Sequence, residues 1–167
     1  MTTTEIIQSR RSIRKFKPGI QIPQEHIDLI LEAAMKAPSA MNVRPWEFVV
    51  VTSKEKREEL IEVHPYSWMI RKAALAIVIC VKPTRNEIGE YAYPGDCGAA
   101  AQNILLQAAE LGYGTCWCGE YPVKERVTGL QRVLDVTTIP FCTISVGISD
   151  EKPKARGSYD PSRVKYL

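Results

Sequence analysis

The sequence is poor in histidine and has no long apolar run. Its 167 residues include only two histidines, and the longest apolar run, residues 73–81, has about half the length that a membrane-spanning helix needs. The opening MTTTE shows no charged-then-apolar pattern of a secretory signal. With 45% hydrophobic and 25% charged residues, the composition is typical of globular proteins. We therefore expect a cytoplasmic protein without a membrane partner, folded as one domain over residues 1–167.

The cysteines and histidines are not spaced for a disulfide framework or a zinc site. Five cysteines are an odd number, and three of them lie in apolar or strand-like segments, which is typical of a reducing compartment. Cys116 and Cys118 are one residue apart, but His26 and His64 are isolated from them and from each other. A structural zinc ion would lack its third and fourth ligands, so we predict no metal site.

The usual phosphate-binding loops are also missing. The chain has no Gly-Lys-Ser/Thr loop. The glycines of GYGTCWCG, residues 112–119, follow a predicted helix and open a strand, which is the reverse of a dinucleotide-binding turn. If the protein binds a nucleotide-like anion, side chains must therefore supply most of the contacts.

Positive charge is concentrated in SRRSIRKFK, residues 9–17, which we call the basic segment. It holds five of the 22 basic residues and no carboxylate, and the remaining 17 are outnumbered by 19 acidic residues, so the net charge of +3 is local. Forked arginine side chains and the Ser12 hydroxyl suit a compact dianion such as a terminal phosphate. A solvated basic face at a helix end is the alternative. We expect no nucleic-acid partner, because Phe16 is the only aromatic residue nearby.

Alternating helical and strand patterns predict an α+β fold. Thr2 and Glu5 have the spacing of a capping box, and Ser53 and Asp96 are predicted to cap later helices. Residues 83–95 are rich in turn formers. Because the element order is not a plain run of βαβ units, we predict a mixed sheet with helices on its faces. The predicted helices start at Thr2, at Pro23 (ending near Pro38), at Ser53 (to about Val63), at Asp96 (to Gly112) and at Pro122, and the predicted strands are 46–52, 75–81, 115–121 and 138–148.

The segment APSAMNVRPWEFVV carries short polar side chains on a stiff connection. Ser39, Asn42 and Arg44 lie between two prolines, directly before a predicted buried strand. Such a connection is either a ligand-binding loop or an ordinary helix-to-strand turn.

The segment GYGTCWCGEYP places Cys116 and Cys118 on one side of a strand and Trp117 on the other. Oxidation of the two thiols would close a strained ring, so we favour small buried residues over redox partners. The long helix predicted before this strand is small and apolar almost all round, which suits burial in the domain centre or at a subunit interface.

Taken together and in this order, four segments resemble the FMN-dependent nitroreductase family, specifically its short members. They are SRRSIRKF, APSAMNVRPWEFVVV, DCGAAAQNILLQAAELGYGTCWCG and a basic C-terminal tail, and they span nearly the whole chain. The resemblance implies a three-layer α+β fold that works as a homodimer, with two FMN sites at the subunit interface.

The resemblance also implies roles for individual residues. The early arginine-serine segment would contact the flavin phosphate and ribityl chain, with Arg14 near the N1/O2 edge of the ring. A loop of the other protomer would reach the flavin, and the N–H of Cys118 or Gly119 would lie near N5. The implied cofactor-binding residues are Arg10, Arg11, Ser12 and Arg14 in the first segment, Pro38, Ser39, Ala40 and Asn42 in the loop, Cys116, Trp117, Cys118 and Gly119 beside the ring, and Lys154 and Arg156 in the tail.

The implied activity is the two-electron reduction of small planar acceptors such as nitroaromatics, quinones or flavins. NADH or NADPH would be the reductant in a ping-pong hydride transfer, and no catalytic side chain is needed because the chemistry occurs at FMN N5. Two alternatives remain open: a flavoenzyme dedicated to one metabolite with a non-nicotinamide electron source, and a flavin-binding module without turnover. Arg44 occupies a position where family members often have glutamine.

Overall fold

The computed structural model describes residues 1–82 and 87–167. Within the second range, side chains are described from residue 92 onward. Five α-helices and four strands follow one another along this part of the chain, together with short 3-10 turns at Ala40–Asn42, Pro65–Arg71 and Pro161–Arg163. The helices are α1 (Thr3–Ser9), α2 (Gln24–Met35), α3 (Lys54–Val63), α4 (Glu87–Glu110) and α5 (Lys124–Leu134), and the strands are β1 (Trp46–Val51), β2 (Leu75–Val81), β3 (Gly114–Gly119) and β4 (Ile139–Gly147).

The four strands form one sheet in the order β1-β2-β4-β3, and every pairing between them is antiparallel. The α+β class is confirmed, but the prediction of a mixed sheet was wrong for these strands. Strand β2 pairs with β4 and not with β3, the next strand along the chain. The parallel contact in the described chain is an isolated bridge between Ser12 and Thr115, outside the sheet proper.

Helices cover both faces of the sheet, as a three-layer arrangement requires. The central strand β2 is buried along its whole length, and its side chains alternate between two apolar clusters. Ile77 and Ile79 pack in the cluster that includes residues of α2 and α4, while Val78 packs with Leu60 of α3 and Leu130 of α5. This two-sided burial explains why β2 reads as a continuous run of apolar residues.

The local signals for two helix starts are confirmed. The Thr2 hydroxyl accepts a hydrogen bond from the Glu5 amide, and the Glu5 carboxylate accepts one from the Thr2 amide, which completes the capping box of α1. Ser53 caps α3 by accepting from the Lys56 amide at 3.2 Å. Helix α2 starts directly after Pro23, with Ile27 and other members of its apolar stripe buried.

Other boundaries differ from the predicted ones. Helix α4 begins at Glu87 and passes through Pro94, so Asp96 is inside the helix and not its cap. The Asp96 carboxylate instead accepts a hydrogen bond from the Ala40 amide at 3.0 Å, a tertiary contact that no local pattern reveals. The predicted turn-rich stretch is helical from residue 87 on, and its residues 83–86 lie outside the described part. Helix α5 starts at Lys124, two residues after Pro122.

Strand β1 was predicted to be buried, but it forms an edge of the sheet. Only Trp46 and Val51 at its two ends are buried, and Glu47 is exposed. Within the described residues, none of the helices has the length and apolar character needed to cross a membrane.

Candidate functional site

The basic segment runs beside the sheet and is held there by its apolar residues. Ile13 and Phe16 are buried, and the Ile13 amide donates to the Thr115 carbonyl at 2.8 Å. The Lys17 amide donates to the Ile148 carbonyl at 2.9 Å. The backbone is therefore fixed at residues 13 and 17, while the side chains of Arg10, Arg11 and Arg14 stay exposed or half-buried.

Glu151 ties the late part of the chain to this segment. Its Oε1 accepts hydrogen bonds from the backbone amides of Arg14 and Lys15, the second at 3.0 Å. The Asp150 amide donates in turn to the Lys15 carbonyl at 2.9 Å. Two stretches that are far apart in sequence are thus joined. Sequence reasoning missed Glu151 because an acidic residue among basic ones carries no local sign of this role.

A cavity of about 850 Å³, which we call the basic cavity, opens between the basic segment and residues 151–159. Five cationic side chains and the carboxylate of Glu151 line it, so its walls favour an anion. The structure brings together here the predicted residues Arg10, Arg11, Ser12, Arg14, Lys154 and Arg156.

Arg11 has a donor without an acceptor. Its Nη1 donates to the backbone carbonyls of Gln8 at 2.7 Å and Arg10 at 2.6 Å. Its Nε is buried and has no hydrogen-bond partner. An unpaired buried donor costs about 1–3 kcal/mol, and an anionic oxygen in the basic cavity would satisfy it.

A second, smaller cavity of about 200 Å³ lies along β3, and we call it the strand cavity. Arg14 lines both cavities and so connects them. The remaining lining residues are His64, Tyr66 and Met69 from the turn after α3, Cys116, Trp117, Cys118 and Gly119 from β3, and Arg126 from α5. A ligand with a charged end and a flat end could therefore extend from one cavity into the other.

The side chains of β3 alternate as predicted. Cys116 and Cys118 are buried on one side, and Trp117 is partly exposed on the other, 6.1 Å from the ring centre of Phe141. The interaction with Cys118, opposed by burial and assisted by Arg14, lowers the pKa of Cys116 to about 7. The same interaction and burial raise the pKa of Cys118.

Comparison with known proteins places these features in a family. The model of the nitroreductase family matches residues 7–64 and 61–148. This chain belongs to the nitroreductase family. A provisionally named NADH dehydrogenase/NAD(P)H nitroreductase of Methanothermobacter thermautotrophicus is 43% identical over 166 residues, covering 98% of this chain and 86% of the relative. An FMN-dependent nitroreductase structure from Clostridium difficile has a TM-score of 0.87 at 34% identity, with 96% of each chain covered.

A more distant relative broadens the chemistry of the family. The NADPH-flavin oxidoreductase of Vibrio harveyi is 32% identical over 128 residues, which are 70% of this chain and 53% of that protein. The relatives of this chain are therefore named for nicotinamide and flavin chemistry.

In this nitroreductase family member, the loop 38–44 is locked by its own polar groups. The Ser39 hydroxyl accepts from the Arg44 amide at 2.9 Å, and Arg44 Nε donates to Asn42 Oδ1 at 2.9 Å. Met41, Asn42 and Arg44 all have positive φ angles. The predicted residues Pro38, Ser39, Ala40 and Asn42 line neither the basic cavity nor the strand cavity of their own chain.

Sequence reasoning also missed a buried hydrogen-bond partner of His64. Nδ1 of His64 lies 3.1 Å from Oε1 of Glu120, and both side chains are buried. The second carboxylate oxygen, Oε2, is buried without a hydrogen-bond partner. The two residues are 56 positions apart, so no spacing rule could have found them. The pair fixes the end of β3 directly after Gly119.

Arg126 lines the strand cavity beside Tyr66 and Gly119. Its guanidinium lies 5.6 Å above the ring centre of Tyr66 and donates to the Gly119 carbonyl at 3.1 Å. A cation thus stands at each end of the strand cavity, with Arg14 on the side of the basic cavity.

Proposed function

We propose that this protein is an FMN-dependent oxidoreductase that uses NADH or NADPH to reduce small planar acceptors such as nitroaromatics, quinones or flavins. The observation that carries the proposal is the basic cavity with the unpaired Nε of Arg11, joined through Arg14 to the strand cavity. We propose further that residues 1–167 act as a single FMN-binding domain.

The residues of the basic cavity fit a flavin phosphate. Arg10, Arg11 and Ser12 offer forked and hydroxyl donors on one wall, and Lys154 and Arg156 add positive charge on the opposite wall. The Nε of Arg11 lacks an acceptor, and a phosphate oxygen placed within its reach would supply one. These five residues would hold the phosphate and ribityl chain.

The strand cavity then receives the flat end of the cofactor. When bound, FMN supplies hydride acceptance and donation at N5. Arg14 lies where the two cavities meet and would stabilise negative charge on the pyrimidine edge of a reduced ring. Met69 and the backbone of Cys116–Gly119 would form the wall behind the ring.

The register of β3 favours the Gly119 amide over the Cys118 amide as the donor near N5. In an antiparallel pair, successive residues point their backbone groups alternately toward and away from the partner strand. The carbonyls of Thr115 and Gly119 accept hydrogen bonds from groups outside the sheet, the Ile13 amide and the Arg126 guanidinium. The backbone N–H and C=O groups of the odd-numbered residues of β3 therefore point away from β4. The Gly119 amide therefore points toward the open edge, where a ligand is accessible.

We propose a homodimer in which the loop 38–42 of each protomer completes the site of the other. The loop is rigid, yet it lines neither cavity of its own chain. Met41 within the loop and Leu29 and Met35 on the preceding helix α2 are exposed apolar side chains. The apolar composition of α4, by contrast, is explained within one chain, because Ala100, Ala101 and other residues of α4 are fully buried there.

An absorbance spectrum of the purified protein, followed by anaerobic addition of NADH or NADPH, tests the proposal. We expect a flavin spectrum that bleaches and then recovers when a quinone or nitroaromatic is added. A protein that binds no FMN would refute the cofactor assignment. A loaded flavin that neither nucleotide bleaches would refute the nicotinamide step and favour a dedicated metabolite with another electron source. The cytoplasmic location remains a proposal that rests on cysteine usage.

A further inference from the structure

Three sulfur atoms from two parts of the chain meet at the strand cavity. Cys116 and Cys118 come from β3, and Met69 comes from the turn Pro65–Arg71. Cys118 Sγ lies 3.5 Å from Met69 Sδ, and Cys116 belongs to the same buried cluster and lines the same cavity. We call these three residues the sulfur cluster.

The sulfur cluster is buried but borders open space. Its side chains are 2%, 8% and 3% exposed in the order Cys116, Cys118, Met69, and all three line the strand cavity. The same cavity is bordered by Tyr66, which is 75% exposed, so a small solute has a route from solvent. The sulfur atoms are therefore mostly buried but border a cavity.

Strand geometry suits shared ligation better than a disulfide. Residues i and i+2 of a strand are roughly 6.6–6.8 Å apart between Cα atoms, which is the upper limit for a relaxed disulfide. Two thiolates on one side of a strand can instead ligate one ion without closing a short S–S bond. In the part of the chain with described side chains, no three His, Cys, Asp or Glu residues group around a possible metal position, which leaves thioether sulfur as the third donor.

Ligand softness and charge select the ion. Thiolate and thioether donors favour Cu(I), whereas structural zinc usually takes four nitrogen or sulfur ligands. Two thiolates with one monovalent cation carry a net charge of −1, which the adjacent Arg14 guanidinium offsets. A divalent ion would leave the positive charge of Arg14 unbalanced.

We propose that Cys116, Cys118 and Met69 form a three-sulfur site for a soft monovalent cation of the Cu(I) class. Binding places one cation between the sulfurs and releases the two thiol protons to solvent, without a change in oxidation state.

Anaerobic titration with Cu(I) against a chromogenic Cu(I) chelator tests this site. The full chain is titrated both with its flavin and after flavin removal, and the near-ultraviolet thiolate-to-copper absorption is followed together with chelator competition. We expect one tightly bound Cu(I) per protomer in at least the flavin-free protein. Cys116→Ser and Cys118→Ser should each weaken binding at least about a hundredfold, and Met69→Leu about tenfold, because serine and leucine offer no soft donor.

Cys97→Ala is the matched control, since it removes a buried thiol of α4 that lies outside the sulfur cluster. It should leave Cu(I) affinity unchanged, and circular dichroism verifies that each variant is folded. Absence of binding in both flavin states, or tight binding retained by folded Cys116→Ser or Cys118→Ser, would overturn the site. Loss of two hydrogens by mass spectrometry without bound copper would assign the thiols to a disulfide instead. Flavin content is measured separately by visible absorption. Failure of the copper site would therefore not count against the oxidoreductase proposal.

Discussion

The basic cavity and the strand cavity meet at Arg14 but are built in opposite ways. The basic cavity is formed by residues 7–14 and 151–159, almost all outside the sheet, whereas the strand cavity is formed largely by a sheet strand and a buried turn. Charge acts over several ångströms and tolerates some freedom in its carriers, so phosphate can be held by segments without regular structure. A flat ring needs fixed walls, which a paired strand supplies. The predictions below test this division.

The largest expected difference is between two thiols of the chain. The pKa of Cys116 is lowered to about 7, while burial raises the pKa of Cys97 to about 12. The thiolate is the reactive form, so at pH 8 its fraction should differ by roughly four orders of magnitude between them. In flavin-free protein, alkylation of Cys116 by iodoacetamide should rise with pH through about 7 and level off above it.

Peptide mass spectrometry of the alkylated protein identifies the modified residue. Cys116→Ser should remove the fast phase and leave Cys97 unmodified. Fast labelling of Cys97 would show that the strand cavity does not set thiol reactivity.

Breaking the buried pair behind β3 should cost stability. Glu120→Ala leaves His64 buried without its partner, and we expect the free energy of unfolding to fall by about 3 kcal/mol. Urea denaturation measures this change. Glu125→Ala, an exposed glutamate on α5, is the control and should shift the free energy by less than about 0.5 kcal/mol. Equal effects would mean that the pair does not stabilise the strand cavity.

Substitutions in the basic cavity should change FMN affinity more than they change the free energy of unfolding. Arg11→Ala removes a charge-assisted contact and should weaken FMN binding by about 2 kcal/mol, or roughly thirtyfold. Fluorescence titration of flavin-free protein with FMN measures the affinity. Lys17→Ala changes a basic residue of the same segment that lines neither cavity, and its affinity should match the parent. Identical affinities for both variants would contradict the phosphate assignment.

The smallest effect is expected where the two walls of the basic cavity are tied together. Glu151→Ala leaves the amides of Arg14 and Lys15 without their acceptor and should reduce the free energy of unfolding by about 1 kcal/mol. Glu151→Gln keeps a carbonyl acceptor and should recover most of this loss. A glutamine variant as unstable as the alanine variant would mean that charge, and not the hydrogen bonds, stabilises the connection.

Local signals predicted the elements whose causes are local. Strand β2 was found because consecutive branched residues favour a strand buried on both faces, and α1 and α3 were found through their caps. The start of α4 was missed because proline and aspartate commonly mark the first residues of a helix, whereas Pro94 and Asp96 lie inside α4. The Asp96 carboxylate accepts a hydrogen bond from the Ala40 amide instead of capping the helix. The direction of strand pairing was missed because β2 and β4 are brought together only by the complete chain.

The same limit applies to the site. Arg10, Arg11 and Arg14 were predicted because charge density is visible in a short segment, whereas Lys154 and Arg156 were predicted only through the resemblance to the family. Glu120 beside His64 and Met69 beside Cys118 were not, since 56 and 49 residues separate the partners. Contacts of that range follow from the fold and from no spacing rule.

The hydrogen bonds of Glu151 also have a consequence for the order of events in the cell. Residues 10–14 leave the ribosome early, but the acceptor that fixes them, and the wall carrying Lys154 and Arg156, are synthesised more than a hundred residues later. A nascent chain therefore exposes a half-built anion site throughout translation. An anion that needs both sides of the basic cavity would bind only after residues 151–159 have been synthesised.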